Sequence, residues 1–378
     1  MRLTFPRMGQ IDIPVKTLFT ELGHEVVAPP PVTKRTFDLG VKYAPEFACL
    51  PFKMTLANYI EAIEKGAEAV VTFGGAGPCR FGYFAQVQRR ILHDLGYDFE
   101  LFLLDPPGAE TRELLRGLRF LFRENLKAPG RIWQAFRLAW AKAVFLDRAN
   151  QLYRRLLPRV AQKKAAEMEY RKFLRVMAAE RDLSRLELVY TALAHNLENL
   201  ARLETGRVLR VKIVGEIYMI LESGVNFDTE NILGQMGVEV IRSVSMTHWV
   251  EANLLKALFP GHRRRTGLLS TPHLTSFVGG HGRETIAETV DAGINRVDGV
   301  VQILPFTCMP ELVAQSILPD LSRRFNLPVL SLVLDEHSGA AGVMTRLEAF
   351  VDLLREKREK DMAKAGVGGE ARNPTGSG

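Results

Sequence analysis

Cysteine is scarce in this chain. There are three in 378 residues, at positions 49, 79 and 308, and no two form a Cys-x-x-Cys pair. Spacing alone therefore selects no particular metal. No uninterrupted apolar run reaches membrane-spanning length. No Gly-x-x-x-x-Gly-Lys-Ser/Thr loop occurs, so ATP hydrolysis by a P-loop has no support. The opening residues, Met1-Arg2-Leu3-Thr4-Phe5-Pro6, lack the apolar core and small-residue cleavage site of a signal peptide and read instead as a first β-strand. The expected location is the cytoplasm, a reducing compartment where thiols are more often metal ligands or catalysts than disulfides.

What the chain does contain is ordinary for a soluble globular protein, with 47% apolar and 25% charged residues. Its length allows two domains, each with its own core. The net charge of +7 is unevenly spread: residues 112–185 hold nineteen Lys and Arg against seven Asp and Glu. A basic segment attracts an acidic partner, a phosphorylated ligand or nucleic acid, or is simply a solvated helical face. Nucleic acid is the least favoured of these, and no membrane association is expected.

The pattern along the chain is α/β. Over residues 1–108, strands at 2–6, 24–28, 67–73 and 99–104 alternate with helices at 14–22, 55–65 and 84–95. The strand at 67–73 is apolar without alternation, which marks a strand buried on both faces. Such alternation predicts a parallel sheet covered on both sides. Asp105-Pro106-Pro107-Gly108 breaks the pattern, and residues 109–205 read as a helical insertion or cap. A second α/β unit spans 206–360, with strands at 207–215, 238–243, 299–304 and 329–334. Its helices fall at 229–236, 248–258, 284–292, 311–325 and 345–357, with a basic connection over 262–271. Residues 361–378 read as a disordered tail. The fold expected is two Rossmann-like parallel-sheet domains with a helical insertion.

A weak internal repeat joins the two units. Glu68-Ala69-Val70-Val71-Thr72-Phe73 leads through Gly74-Gly75-Ala76-Gly77-Pro78 to Cys79, and Asp298-Gly299-Val300-Val301-Gln302-Ile303-Leu304 leads to Cys308. In each, a helix ends on Gly, an acidic residue opens a Val-Val strand, and a Cys follows. Ligands of open parallel sheets gather at the carboxyl ends of strands, where both thiols fall. Each thiol also precedes a helix, whose N-terminus favours negative charge and lowers a thiol pKa. Gly74, Gly75 and Gly77 allow close backbone approach to a bound centre. Cys49 lies in a loop between Pro45 and Pro51, at the same edge of the first unit. Three readings fit these thiols: an iron–sulfur cluster with three protein ligands and one open iron, a zinc site completed by His273, His281 or His337, or three separate buried apolar side chains.

The stretches Ala48-Cys49-Leu50-Pro51-Phe52-Lys53, Gly77-Pro78-Cys79-Arg80-Phe81-Gly82-Tyr83 and Pro305-Phe306-Thr307-Cys308-Met309-Pro310, with Asp335-Glu336-His337-Ser338-Gly339 and Thr345-Arg346-Leu347-Glu348, resemble the 2-hydroxyacyl-CoA dehydratase / benzoyl-CoA reductase superfamily, in particular its acyl-CoA dehydratase activase-related branch. The resemblance covers both α/β units and fades across 109–203. It implies a [4Fe-4S] cluster, or a double-cubane cluster, held by Cys49, Cys79 and Cys308 between Rossmann-like domains. It further implies an oxygen-sensitive protein of anaerobic metabolism that accepts low-potential electrons from an ATP-dependent activator protein. Dehydratase (lyase) or reductase chemistry would follow on an acyl-CoA or small-molecule substrate, in a homo- or heterodimer. The alternatives are a non-catalytic electron relay or scaffold that docks an activator ATPase through its basic helices, and a zinc-stabilised binding protein.

Other residues carry functional readings beside plainer ones. Glu216 and His337 are candidate proton-transfer groups, or turn caps. Tyr218 and Asn226 are weaker candidates of the same kind. Arg80 is a candidate to offset cluster charge or bind an anionic group, and Lys53 is comparable; a surface salt bridge is the alternative for both. Gly279-Gly280-His281-Gly282 is either a phosphate cradle or a flexible turn.

Overall fold

A computed structural model describes residues 1–74, 79–104, 111–201, 208–248, 250–251 and 264–367. Two four-stranded sheets, every pairing parallel, organise the chain. The first contains β1 (Arg2–Thr4), β2 (Glu25–Val26), β3 (Ala69–Phe73) and β4 (Glu100–Leu104), in the order β2-β1-β3-β4. The second contains β5 (Leu209–Gly215), β6 (Val238–Arg242), β7 (Gly299–Pro305) and β8 (Val329–Leu334), in the order β6-β5-β7-β8. The two orders are equivalent. The repeat seen in the sequence is thus a repeat of topology, and two Rossmann-like domains are present. In each sheet the strand order reverses between the first and third strands, which opens a crevice at their carboxyl ends. All seven residues of β7 are buried, as expected for a strand covered on both faces.

Helices cover these sheets. In the first half they are α1 (Asp12–Glu21), α2 (Lys34–Tyr43), α3 (Leu50–Glu64) and α4 (Phe84–Asp94). Four helices follow: α5 (Thr111–Phe122), α6 (Pro129–Leu156), α7 (Lys163–Ala179) and α8 (Leu186–Leu200). The second half contributes α9 (Ile217–Leu221), α10 (Thr229–Gln235), α11 (Arg264–Ser270), α12 (Gly282–Ile294), α13 (Met309–Phe325) and α14 (Ala340–Val367). Several bounds differ from expectation. The α3 helix begins at Leu50, five residues early, because Pro51 fits its first turn, where an N–H has no partner to lose. The basic connection at 262–271 contains α11. The closing helix starts at Ala340 and runs to Val367, into the stretch read as tail. The helix expected over 248–258 lies mostly outside the described residues.

The helical insertion has its own core of α6, α7 and α8 side chains, among them Leu146, Tyr170, Phe173 and Leu193. It is anchored to both halves. Tyr170 Oη and Asn150 Nδ2 donate to Gln10 Oε1 at 3.0 and 2.9 Å, while Tyr153 Oη donates to Asn231 Oδ1 at 3.1 Å. Half-buried Arg154 faces Glu230, which also receives Arg242. Part of the basic surplus is therefore internal: Lys142 is buried and its pKa falls to about 8, with desolvation the main cause.

One helix belongs to both domains. Leu50 and Met54 of α3 pack with Tyr218, Met219 and the second core, whereas Phe52, Leu56, Tyr59 and Ile60 pack in the first. Beside it, β5 ends on Gly215, whose φ is +133°. A Cβ there would stand 2.0 Å from the Ile303 carbonyl oxygen, so only glycine turns the chain at this point. Gly215→Ala is expected to lower stability by about 2 kcal/mol or more through backbone strain and this clash. Denaturant unfolding of both proteins checks it, and an unchanged midpoint would refute the tight turn.

Candidate functional site

Each cysteine occupies the residue just before a helix. Cys49 precedes α3, Cys308 precedes α13, and Cys79 precedes a short 3₁₀ turn (Arg80–Tyr83) that runs into α4. Cys79 follows β3 and Cys308 follows β7, so both lie at the carboxyl ends of their sheets. Gly75 and Gly77, expected beside the bound centre, lie outside the described residues.

Arg80 ties the three cysteine loops together. Its Nη1 donates to the Phe47 carbonyl at 2.9 Å. Its Nη2 donates across the domain boundary to the Thr307 carbonyl at 2.7 Å and Oγ1 at 3.2 Å. One guanidinium thus joins the residue after Cys79, the residue two before Cys49 and the residue before Cys308. Thr307 has φ of +71°, an uncommon backbone for a non-glycine residue. Arg80 holds this turn from the other domain.

The thiols act on one another. Cys49 interacts electrostatically with both Cys79 and Cys308, and Glu216 interacts with all three. Burial pushes the Cys49 thiol up to about 12 and raises Cys308 and Cys79 as well, with Glu216 adding to each shift. First-turn N–H groups of Phe52, Phe81 and Glu311 oppose the shift. This corrects the expectation of lowered thiol pKa values: desolvation outweighs the helix ends. Among the described residues no three His, Cys, Asp or Glu side chains surround a point suited to a single metal ion.

Glu216 precedes α9. Its Oε2 accepts from the Met219 N–H at 2.9 Å, and burial raises its pKa to about 7. Of the other candidates, Tyr218 is buried beside Glu216 and Glu222, and its hydroxyl has no partner among the described residues. Asn226 is structural: its amide spans the Met219 and Ile220 carbonyls at 2.8 and 3.1 Å. His337 is exposed, and among the described residues its side chain has no partner; its backbone N–H donates to Asp335 Oδ1 at 3.0 Å. The neighbouring Glu336 turns inward instead and pairs with buried Lys53, one turn along α3 from Cys49. The glycine-rich turn at 279–282 packs on α13: a Cβ on Gly282 would lie 2.3 Å from the Pro310 carbonyl oxygen. Its glycines thus have a packing reason that needs no phosphate.

The crevice has an apolar rim. Phe47, Phe81, Tyr83, Phe306 and Met309 flank the three cysteines in sequence and are exposed, Phe47 by 75% and Tyr83 by 73%. Exposed apolar side chains of this kind around half-buried cysteines are a feature that interaction sites share. Sequence reasoning passed over this rim, along with Glu336 and the Thr307 turn. The rim was legible as aromatics beside every cysteine.

Residues 13–72 match a family described as the CoA enzyme activase uncharacterised domain (DUF2229). The matched stretch runs from α1 to β3 and includes Cys49, but neither Cys79 nor Cys308. It links the chain to the acyl-CoA dehydratase activase branch. A comparison with curated proteins finds no match.

The Lys53–Glu336 pair joins the domains beside the thiols. Lys53→Met is expected to cost about 3 kcal/mol by stranding Glu336 in a mostly buried site, and Lys53→Met with Glu336→Leu to recover most of the loss. Denaturation of the two single variants and the double variant checks this; additive losses would show that the pair is uncoupled.

Proposed function

We propose that Cys49, Cys79 and Cys308 hold an iron–sulfur cluster in the crevice between the domains, and that the chain serves an acyl-CoA dehydratase system as an electron-accepting component. The observation that carries the reading is that Arg80 ties together three cysteine-bearing loops from distant parts of the chain. A cubane bonds each thiolate to a different iron, so its ligands need not close on one point. That suits this donor set better than zinc does. When bound, the cluster supplies one-electron chemistry at a potential tuned by nearby charge, hydrogen bonds and solvent.

The chain's own residues do the rest. First-turn N–H groups of α3 and α13 face the thiols and stabilise them as thiolates once a cationic centre offsets the burial. Arg80 fixes the spacing of the three loops. The rim of Phe47, Phe81, Tyr83, Phe306 and Met309 excludes water and offers an apolar landing surface at the site. An ATP-dependent activator docking there would place its own donor group close to the thiols. Electron uptake with turnover of an acyl-CoA or a small molecule defines an enzyme. Uptake without turnover defines a relay, the reading that the exposed rim favours second.

Anaerobic purification or reconstitution of the protein is expected to give a coloured product with about four iron and four sulfide per chain. Cys308→Ala is expected to lose most of that iron while keeping its fold by circular dichroism. A colourless protein with one zinc per chain would sink the proposal, as would full iron content in Cys308→Ala.

A further inference from the structure

We infer that the exposed aromatic face of α6, together with the turn that leads into it from α5, docks on the surface of an anionic lipid bilayer. The inference is independent of the cluster reading, and it departs from the expectation of no membrane association.

Trp133, Phe136 and Trp140 follow one another at spacings of three and four, which places them on one helix face. They are exposed by 65%, 43% and 38%. Two of the chain's three tryptophans thus stand in water side by side. The opposite face of α6 already fills the interior through Ala135, Leu138, Ala139 and Ala143, all buried, so the aromatic face is surplus to the core. The patch continues beyond α6. The Phe136 ring meets that of Phe122 at the end of α5, with centroids 6.2 Å apart, and Leu126 in the connecting turn is 63% exposed. Leu115, exposed as well, shares the Phe122 face of α5 two turns earlier.

The charge on this surface has one sign. From Asn125 to Leu146 there is no Asp or Glu, but there are four Lys and Arg, of which only Lys142 is buried. Arg137 stands between the tryptophans, four residues after Trp133 and three before Trp140, while Lys127 and Arg131 lead into the helix. None of these three exposed cations has an ion-pair partner among the described residues. Tryptophan favours the headgroup level of a bilayer, where one end of its ring is wet and the rest apolar, and Lys and Arg add attraction to anionic headgroups. The exposed leucines suit acyl chains and give a nucleic-acid base nothing to stack on. A second copy of the chain would set the same cations against each other across a two-fold contact. No helix among the described residues is long and apolar enough to cross a membrane, so the contact is with the surface. Just ahead of α6, Asn125 Nδ2 donates to the Leu22 carbonyl at 2.7 Å, toward the amino edge of the first sheet. A chain lying on a bilayer by this face keeps its cysteine crevice open at the other edge.

The test is co-sedimentation of the full chain with vesicles of phosphatidylcholine alone and of phosphatidylcholine with about one-third phosphatidylserine. Wild type is expected to bind the anionic vesicles, to leave the neutral ones in solution, and to be released as salt rises from about 0.1 M to about 1 M. Trp133→Ala with Trp140→Ala is expected to weaken binding about tenfold or more, and Arg131→Glu with Arg137→Glu to do the same, with unchanged circular dichroism. A second measurement leaves the patch intact: Trp249→Phe makes Trp133 and Trp140 the only tryptophans. Their emission is expected to shift to the blue on anionic vesicles and to be quenched by brominated acyl chains. No binding to the anionic vesicles, equal binding to neutral ones, or binding that both double variants retain in full overturns the inference. So does self-association, or binding to polyuridylate, that depends on Trp133 and Trp140 while vesicles are ignored.

Discussion

The α3 helix is buried on both sides, and much of the molecule follows from that. Its residues from Leu50 to Ala62 are all buried. One face fills the core of the first sheet and the other packs on Tyr218 and Met219 of the second half. Each fully buried Leu, Phe or Met side chain contributes on the order of 2 kcal/mol, so sliding the domains apart would expose several at once. The N-terminus of this helix is therefore held at the domain boundary. Cys49 sits at that end, and Lys53, one turn further, reaches Glu336 after β8. A helix that serves two cores is also a poor place for a charged face, which is why α3 shows so little of one.

That constraint brings acids together. Three thiols and a carboxylate share a crevice with little water, and burial raises all four. Nearby like charges cannot all ionise in such surroundings without a cation among them. Helix N-termini offer partial positive charge, but here they do not overcome desolvation. A centre that brought its own positive charge would reverse the balance and deprotonate the thiols as it bound. In the proposed site, burial thus favours protonated thiols, and a bound cationic centre would deprotonate them. The strained Thr307 turn, held by Arg80 from across the boundary, shows backbone conformation yielding to the same arrangement.

Much of this was legible beforehand. Strands are readable where apolar β-branched residues run without alternation, as in Ala69–Phe73, because burial on both faces leaves no ambiguity of period. The repeated strand-to-cysteine pattern anticipated the matching strand orders. What escaped were elements set by tertiary contact. The α2 and α9 helices are short, and α2 is held by Thr36 against Glu61 and by Gly40 against the α3 backbone. The start of α3 was hidden because Pro51 reads as a breaker unless its place in the first turn is known. Arg80 read as a charge for a ligand, and its role as a clamp depends on carbonyls 33 and 227 residues away in sequence. No local pattern encodes such partners. The inward turn of Glu336 in place of His337 is likewise a choice made by buried Lys53.

The helical insertion can be weighed on the same terms. Its basic surplus suggested a binding face, yet Lys142, Arg154 and Arg159 anchor the insertion to the rest of the protein. What remains outside is a stripe on α6, Trp133, Phe136 and Trp140, spaced to share one helix face and exposed. Arg119, Lys127, Arg131 and Arg137 have no ion-pair partner among the described residues. The start of α6 lies toward the amino edge of the first sheet, since Asn125 just before it bonds the Leu22 carbonyl, whereas Asn150 near its far end meets Gln10 at the carboxyl edge. The stripe is therefore at the opposite edge from the thiols. A partner that delivers electrons must approach the crevice, and the rim around the cysteines serves that contact better than the basic helices do. Under the proposed function, the docking surface is therefore the apolar mouth of the site and not the charged insertion.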